Sequence, residues 1–125
     1  MTPESQVIQI NEYELVDTPD AFVEAITMLA DRTEREGHPG VLAYRFYVNR
    51  AERTAGAVIR YADAEAWLAH HQIAYQWDEM PALQATVSLK RLILLGPLND
   101  EILTMIDDAP FQVVRFDTLA SGFVR

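Results

Sequence analysis

The chain has 125 residues, half of them apolar, and nineteen acidic against ten basic side chains give it a formal charge of −9. That length suits one domain, residues 1–125, with a modest core, and the acidity excludes the basic stripe a nucleic-acid binder needs. The absence of cysteine excludes disulfides, thiolate catalysis and cysteine-ligated metal or iron–sulfur sites. No basic-then-apolar leader and no apolar run of about 18 residues is visible, so a cytoplasmic protein with no membrane partner is expected.

Val7 to Leu15 reads as a strand, with Val7, Gln9, Asn11 and Tyr13 on one face and Ile8, Ile10, Glu12 and Glu14 on the other. Thr18-Pro19-Asp20 is a helix start: a capping hydroxyl, a proline in the first turn, then an acid. Phe22, Ile26, Leu29 and Thr33 form the stripe of that helix, and Gly37 its stop, before a turn at His38-Pro39-Gly40. Val41 to Asn49 alternates as a strand, with Leu42, Tyr44, Phe46 and Val48 on one face. A polar loop from Arg50 to Ala55 returns the chain as an antiparallel strand, Gly56 to Tyr61.

The stretch from Tyr61 to Met80 is the densest in chemically capable side chains, with two Trp, two His and two Tyr. Asp63 caps a helix, and Trp67, His70, His71 and Ala74 share one of its faces at i, i+3, i+4 and i+7. A break or bend is expected near Met80-Pro81, where proline removes an amide donor. Ser88 to Leu95 is a further strand, with Leu89, Ile93 and Leu95 on one side and Leu92 and Leu94 on the other, ended by Gly96-Pro97. Asn99 caps a short helix, and Phe111 to Phe116 is a last strand before a tail. The fold class is therefore α+β, a ferredoxin-like βαββαβ core over about residues 7–98 with an appended helix and strand over 99–125. Its helices cover one face of the sheet. The middle strands are apolar on both sides, so the bare face calls for a cover, and a second copy packing sheet to sheet is the simplest one.

These residues resemble the antibiotic biosynthesis monooxygenase family of dimeric α/β barrels. The likeness lies in Tyr61-Ala62-Asp63, Glu65-Ala66-Trp67 and Ala69-His70, with Asn11, the Thr18-Pro19 start leading to Phe22, and Gly40 before the long strand. The family includes cofactor-independent oxygenases of phenols and quinols, haem-degrading enzymes and domains with no assigned reaction. His70 falls on the family's helix histidine and Asn11 on an asparagine of its haem-degrading and some cofactor-free members. The second helix histidine of many members is Tyr75 here. The haem-degrading members' tryptophan falls at His70 and their ligating histidine has no counterpart, which points away from haem.

The resemblance implies a homodimer whose protomers each hold a pocket between helices and sheet. Its reaction would be oxygenation of a small aromatic phenol or quinol by dioxygen, with no flavin, haem or metal cofactor. His70 is the candidate base, able to take a phenolic proton, or else a core histidine bonded to backbone or tyrosine. Asn11 either stabilises charge developing on the substrate or bonds solvent at an edge. Trp67 either stacks on the ligand or fills the core between helix and sheet. Tyr75, His71 and Tyr44 are further candidates for substrate contact. Adjacent histidines chelate poorly from a helix, so no metal site is expected. The alternative function is a non-catalytic ligand-binding or structural homodimer of the same fold.

Overall fold

The computed structural model describes residues 3–125. Five strands and four helices follow in the order β1 (Val7–Leu15), α1 (Pro19–Glu36), β2 (Val41–Asn49), β3 (Thr54–Tyr61), α2 (Ala64–Ala74), α3 (Glu79–Gln84), β4 (Val87–Leu95), α4 (Asp100–Asp107) and β5 (Gln112–Phe116). They form one sheet of order β2-β3-β1-β4-β5. The first four strands pair antiparallel and give the ferredoxin-like core; β5 adds itself parallel to β4 at the edge. No helix among the described residues is long and apolar enough to cross a membrane.

Local chemistry explains the helix ends. The Thr18 hydroxyl accepts from the Ala21 amide at 3.1 Å, the Asp63 carboxylate from Ala66 at 2.8 Å and the Asn99 side chain from Ile102 at 2.9 Å. Each satisfies one of the amides a first turn leaves bare. Phe22, Ile26, Leu29 and Thr33 are the buried residues of α1, as the stripe requires. They join the buried side chains of α2 and the covered sheet face in one core. Gly40 lets the turn before β2 approach α2 closely: a Cβ there would collide with the Cβ of Ala66. Gly96 closes β4 at φ +110°, a conformation that glycine alone adopts freely.

Three expectations are corrected. The alternation of β2 is interrupted by a register shift between Val41 and Ala43. Val41, paired with Tyr61, packs on the core, while Leu42 is pushed out to 39% exposure. A second shift, opposite Glu12 and Tyr13, carries Leu89 onto the same face as Leu92 and Leu94. An extra residue in a strand flips every side chain beyond it, and strict period-two reading misses it. The long helix ends at Ala74, not at Pro81. Pro81 stands in the first turn of α3, where a missing amide costs nothing.

Register fixes which residues share a face. On the covered face the rows run Tyr44–Ile59–Gln9–Leu94 and Phe46–Ala57–Asn11–Leu92–Val113. On the bare face one row is Arg45–Val58–Ile10–Ile93–Val114 and the next Ala43–Arg60–Ile8–Leu95–Phe116. Those rows are mostly apolar, with Val58 37% and Phe116 61% exposed.

Candidate active site

A cavity of about 250 Å³ lies between the covered sheet face and the helices. Its floor is laid by β1, three of whose polar residues face inward while Glu12 and Glu14 face out. Gln9, Asn11 and Tyr13 stand two residues apart, so the period of the strand aligns them on the buried side. They form a directed chain of hydrogen bonds. Trp67 Nε1 donates to Gln9 Oε1 at 2.7 Å, Gln9 Nε2 to Asn11 Oδ1 at 2.9 Å, and Asn11 Nδ2 to Tyr13 Oη at 2.7 Å. The polar groups in an otherwise strand-like run thereby satisfy one another in the interior, as buried polar groups must.

The wall opposite is α2. His70 is 3% exposed and its Nδ1 is buried without a hydrogen-bond partner. Its ring meets Tyr44 edge-on at 5.5 Å and lies 5.8 Å from Tyr61. Tyr61 is itself fully buried, and its hydroxyl also lacks a partner. Next to it His71 stacks on Trp67 at 3.8 Å, and its Nδ1 lies 2.7 Å from the Trp67 carbonyl oxygen, to which it donates as the Nδ1–H tautomer. Beyond lie Tyr75, then Met80, Leu83 and Gln84 from α3, and Phe111 from the loop before β5. Of the appended segment, Phe111 lines this cavity, whereas Phe116 to Val124 lie along the other face of the sheet.

Electrostatics follow from burial. Burial, with His71 and His38 adding repulsion, lowers His70 to about 3. Burial, opposed by the hydrogen bond to the Trp67 backbone, lowers His71 to about 4. Both rings are neutral at pH 7. Burial pushes Tyr13 up to about 12, against the hydrogen bond from Asn11, and raises Tyr44, Tyr61 and Tyr75 as well. The site therefore offers neutral imidazoles and protonated phenols, and no resident charge. No group of three or more His, Asp or Glu among the described residues is arranged to hold a metal.

Sequence comparison matches no family profile and no curated protein. Solved structures do match. MupZ from Pseudomonas fluorescens superposes with TM-score 0.74 at 19% identity, over 98% of this chain and 91% of that one. SnoaB from Streptomyces nogalater, a cofactor-independent oxygenase, gives TM-score 0.58 at 17% identity over 72% and 90%. A Caulobacter crescentus protein assigned provisionally to the antibiotic biosynthesis monooxygenases gives 0.59 at 16% over 74% and 88%. The fold is that of the antibiotic biosynthesis monooxygenases.

Within this fold, five of the residues singled out from sequence line the cavity together: Asn11, Tyr44, His70, His71 and Tyr75. Trp67 does not. It is 3% exposed and stands behind the wall, with its ring on His71 and its indole N–H on Gln9. His71 lines the cavity where the sequence reading placed an indole. Burial holds the His70 imidazole well below the ordinary imidazole range. Sequence reasoning passed over Gln9, Tyr13 and Tyr61. The signal for the first two was present in the alternation of β1, where polar side chains share a face with Val7.

Proposed function

We propose that the protein is a cofactor-independent oxygenase of a small hydroxylated aromatic, bound between α2 and the sheet. The observation carrying this reading is the unpartnered imidazole of His70, buried beside unpartnered Tyr61 in an aromatic cavity. Buried polar atoms without partners are rare in native proteins, and a ligand hydroxyl supplies the missing bond. Size supports one or two fused rings: an apolar cavity of ~150 Å³ accepts benzene, and this one is about 250 Å³.

In this reading the phenolic proton passes to His70. The phenolate gives one electron to dioxygen, and the aryloxyl–superoxide pair recombines at carbon. His70 returns its proton to the peroxide, which stands on a ring carbon still bearing hydrogen, and loss of water leaves a quinone, so that phenol plus dioxygen becomes quinone plus water. The protein holds the ring, receives the proton and keeps water out. The proton leaves a phenol of pKa ~10 for an imidazole held near 3 in the empty cavity. The step therefore depends on the imidazolium and phenolate forming together as a pair in a dry site, where each offsets the other's burial.

That low basicity favours the second reading, a binding protein in which His70 only donates or accepts a hydrogen bond. Oxygen uptake separates the two. The oxygenase consumes dioxygen with 1-naphthol above the spontaneous rate and loses this with His70→Ala; the binding protein takes up the naphthol and leaves dioxygen untouched.

The same proposal includes a dimer. The rows through Ile10 and Ile8 give that face an apolar surface, and Leu119, Phe123 and Val124 of the tail lie beside Ile8, Leu95 and Phe116, at 45%, 74% and 55% exposure. A two-fold pairing of sheets buries this patch twice.

A further inference from the structure

We infer that Trp67 and Gln9 are positioning residues that fix the polarity of the cavity, so that Tyr13 donates its hydroxyl proton to the ligand and the site selects a ligand with an acceptor oxygen there. This rests on the reading of the cavity as the ligand site.

The inference follows from what each group is able to do. An indole N–H only donates. Gln9 must therefore turn its oxygen to Trp67, 2.7 Å away, and its NH₂ to Asn11. Asn11 then receives on its oxygen and must turn its NH₂ to Tyr13, 2.7 Å away. The orientation of both amides, ordinarily ambiguous, is dictated by the one member that cannot reverse. Tyr13 Oη is left accepting from the protein, and its own proton has no acceptor among the described residues. Tyr13 lines the cavity, so that proton is offered inward. Tyr61 is different: with no protein partner its hydroxyl turns freely, as donor or acceptor. His70 likewise takes whichever tautomer the ligand asks for. Of these three unsatisfied groups, Tyr13 alone has its role set in advance. A ligand presenting only a donor to Tyr13 leaves two hydrogens facing each other, and one presenting carbonyl or phenolate oxygen completes the chain.

An isosteric pair tests this: 2-naphthaldehyde and 2-vinylnaphthalene differ by oxygen against methylene. Binding to the full chain is measured by titration calorimetry. The wild type is expected to hold the aldehyde about tenfold more tightly, the worth of one hydrogen bond to a buried donor. Tyr13→Phe is expected to bring the ratio to within about threefold of unity, with vinyl binding retained. Trp67→Phe frees both amides to reverse and lowers the ratio, again leaving the vinyl compound bound; a merely structural role for Trp67 would weaken both ligands alike. Because Trp67 is buried, Gln9→Leu serves as a second break in the chain, with the same expected loss of preference. A wild type without preference, or a preference that survives Tyr13→Phe, overturns the inference and spares the cavity as ligand site. Failure of both compounds to bind the folded wild type overturns the ligand-site reading and this inference with it.

Discussion

His70 shows how one residue carries both fold and chemistry. Position three on from Trp67 turns it inward, and the core then holds its ring neutral. The unfolded chain protonates it near ~6.5, whereas the folded chain resists down to about 3. A depressed folded pKa means that the unfolded state binds the proton first. Stability is therefore intact above pH ~6.5 and falls as pH drops through the window towards the folded value. His70 alone adds a slope of about 1.4 kcal/mol per pH unit in that window. Urea unfolding between pH 6.5 and 4.5 measures it; His70→Gln is expected to reduce the slope by about that amount, His71 keeping its own share, and an unchanged slope would place the imidazole in water. Of this site, the sequence made the histidine and Asn11 legible through helix and strand periodicity. Tyr13 and Tyr61 were hidden because a tyrosine in a strand is ordinarily core, and only the unshared hydroxyl protons set these two apart.

At the scale of elements, α3 is the piece that completes the cavity and is held least by its own length. It has six residues and no side-chain cap, too few for a helix to stand alone. Arg32 of α1 pins it: the guanidinium donates to Glu79 at 2.8 Å and lies over Trp77 at 4.7 Å. The hydrogen bond from Arg32 lowers the Glu79 pKa, so the link persists above the ordinary carboxylate range and is released as pH falls through the lowered value. Arg32→Ala is expected to speed amide exchange across Glu79–Gln84 and weaken ligand binding, with the β1–β3 amides unaffected. Equal acceleration in both regions would contradict α3 as a separately pinned lid. The caps, the α1 stripe and the five strands were all legible from local chemistry. The two register shifts and the break after Ala74 were not, because they are set by how strands and helices fit each other. A proline seven residues on was the louder local signal.

The whole molecule is one-sided. Its helices and polar chain lie on one face of the sheet; the other face is largely apolar, and the tail from Thr118 to Val124 lies along its Ile8–Leu95–Phe116 end around a cavity of about 330 Å³. Sequence patterning made that asymmetry legible, since β1, β3 and β4 carry Ile or Val on the side away from the helices. Sedimentation at micromolar concentration is expected to give the mass of two chains. Ile10→Lys, in the middle of the bare face, is expected to give one chain with unchanged circular dichroism. A monomeric wild type would leave the apolar rows without a cover. The most direct test of function remains oxygen consumption by metal-free protein with 1-naphthol, with the 1,4-naphthoquinone formed measured alongside. The expected result is uptake above the spontaneous rate that falls at least about a hundredfold in His70→Ala, the usual worth of a positioned base. Uptake at the spontaneous rate by folded protein that binds the naphthol, or uptake undiminished in His70→Ala, would contradict oxygenation at this site.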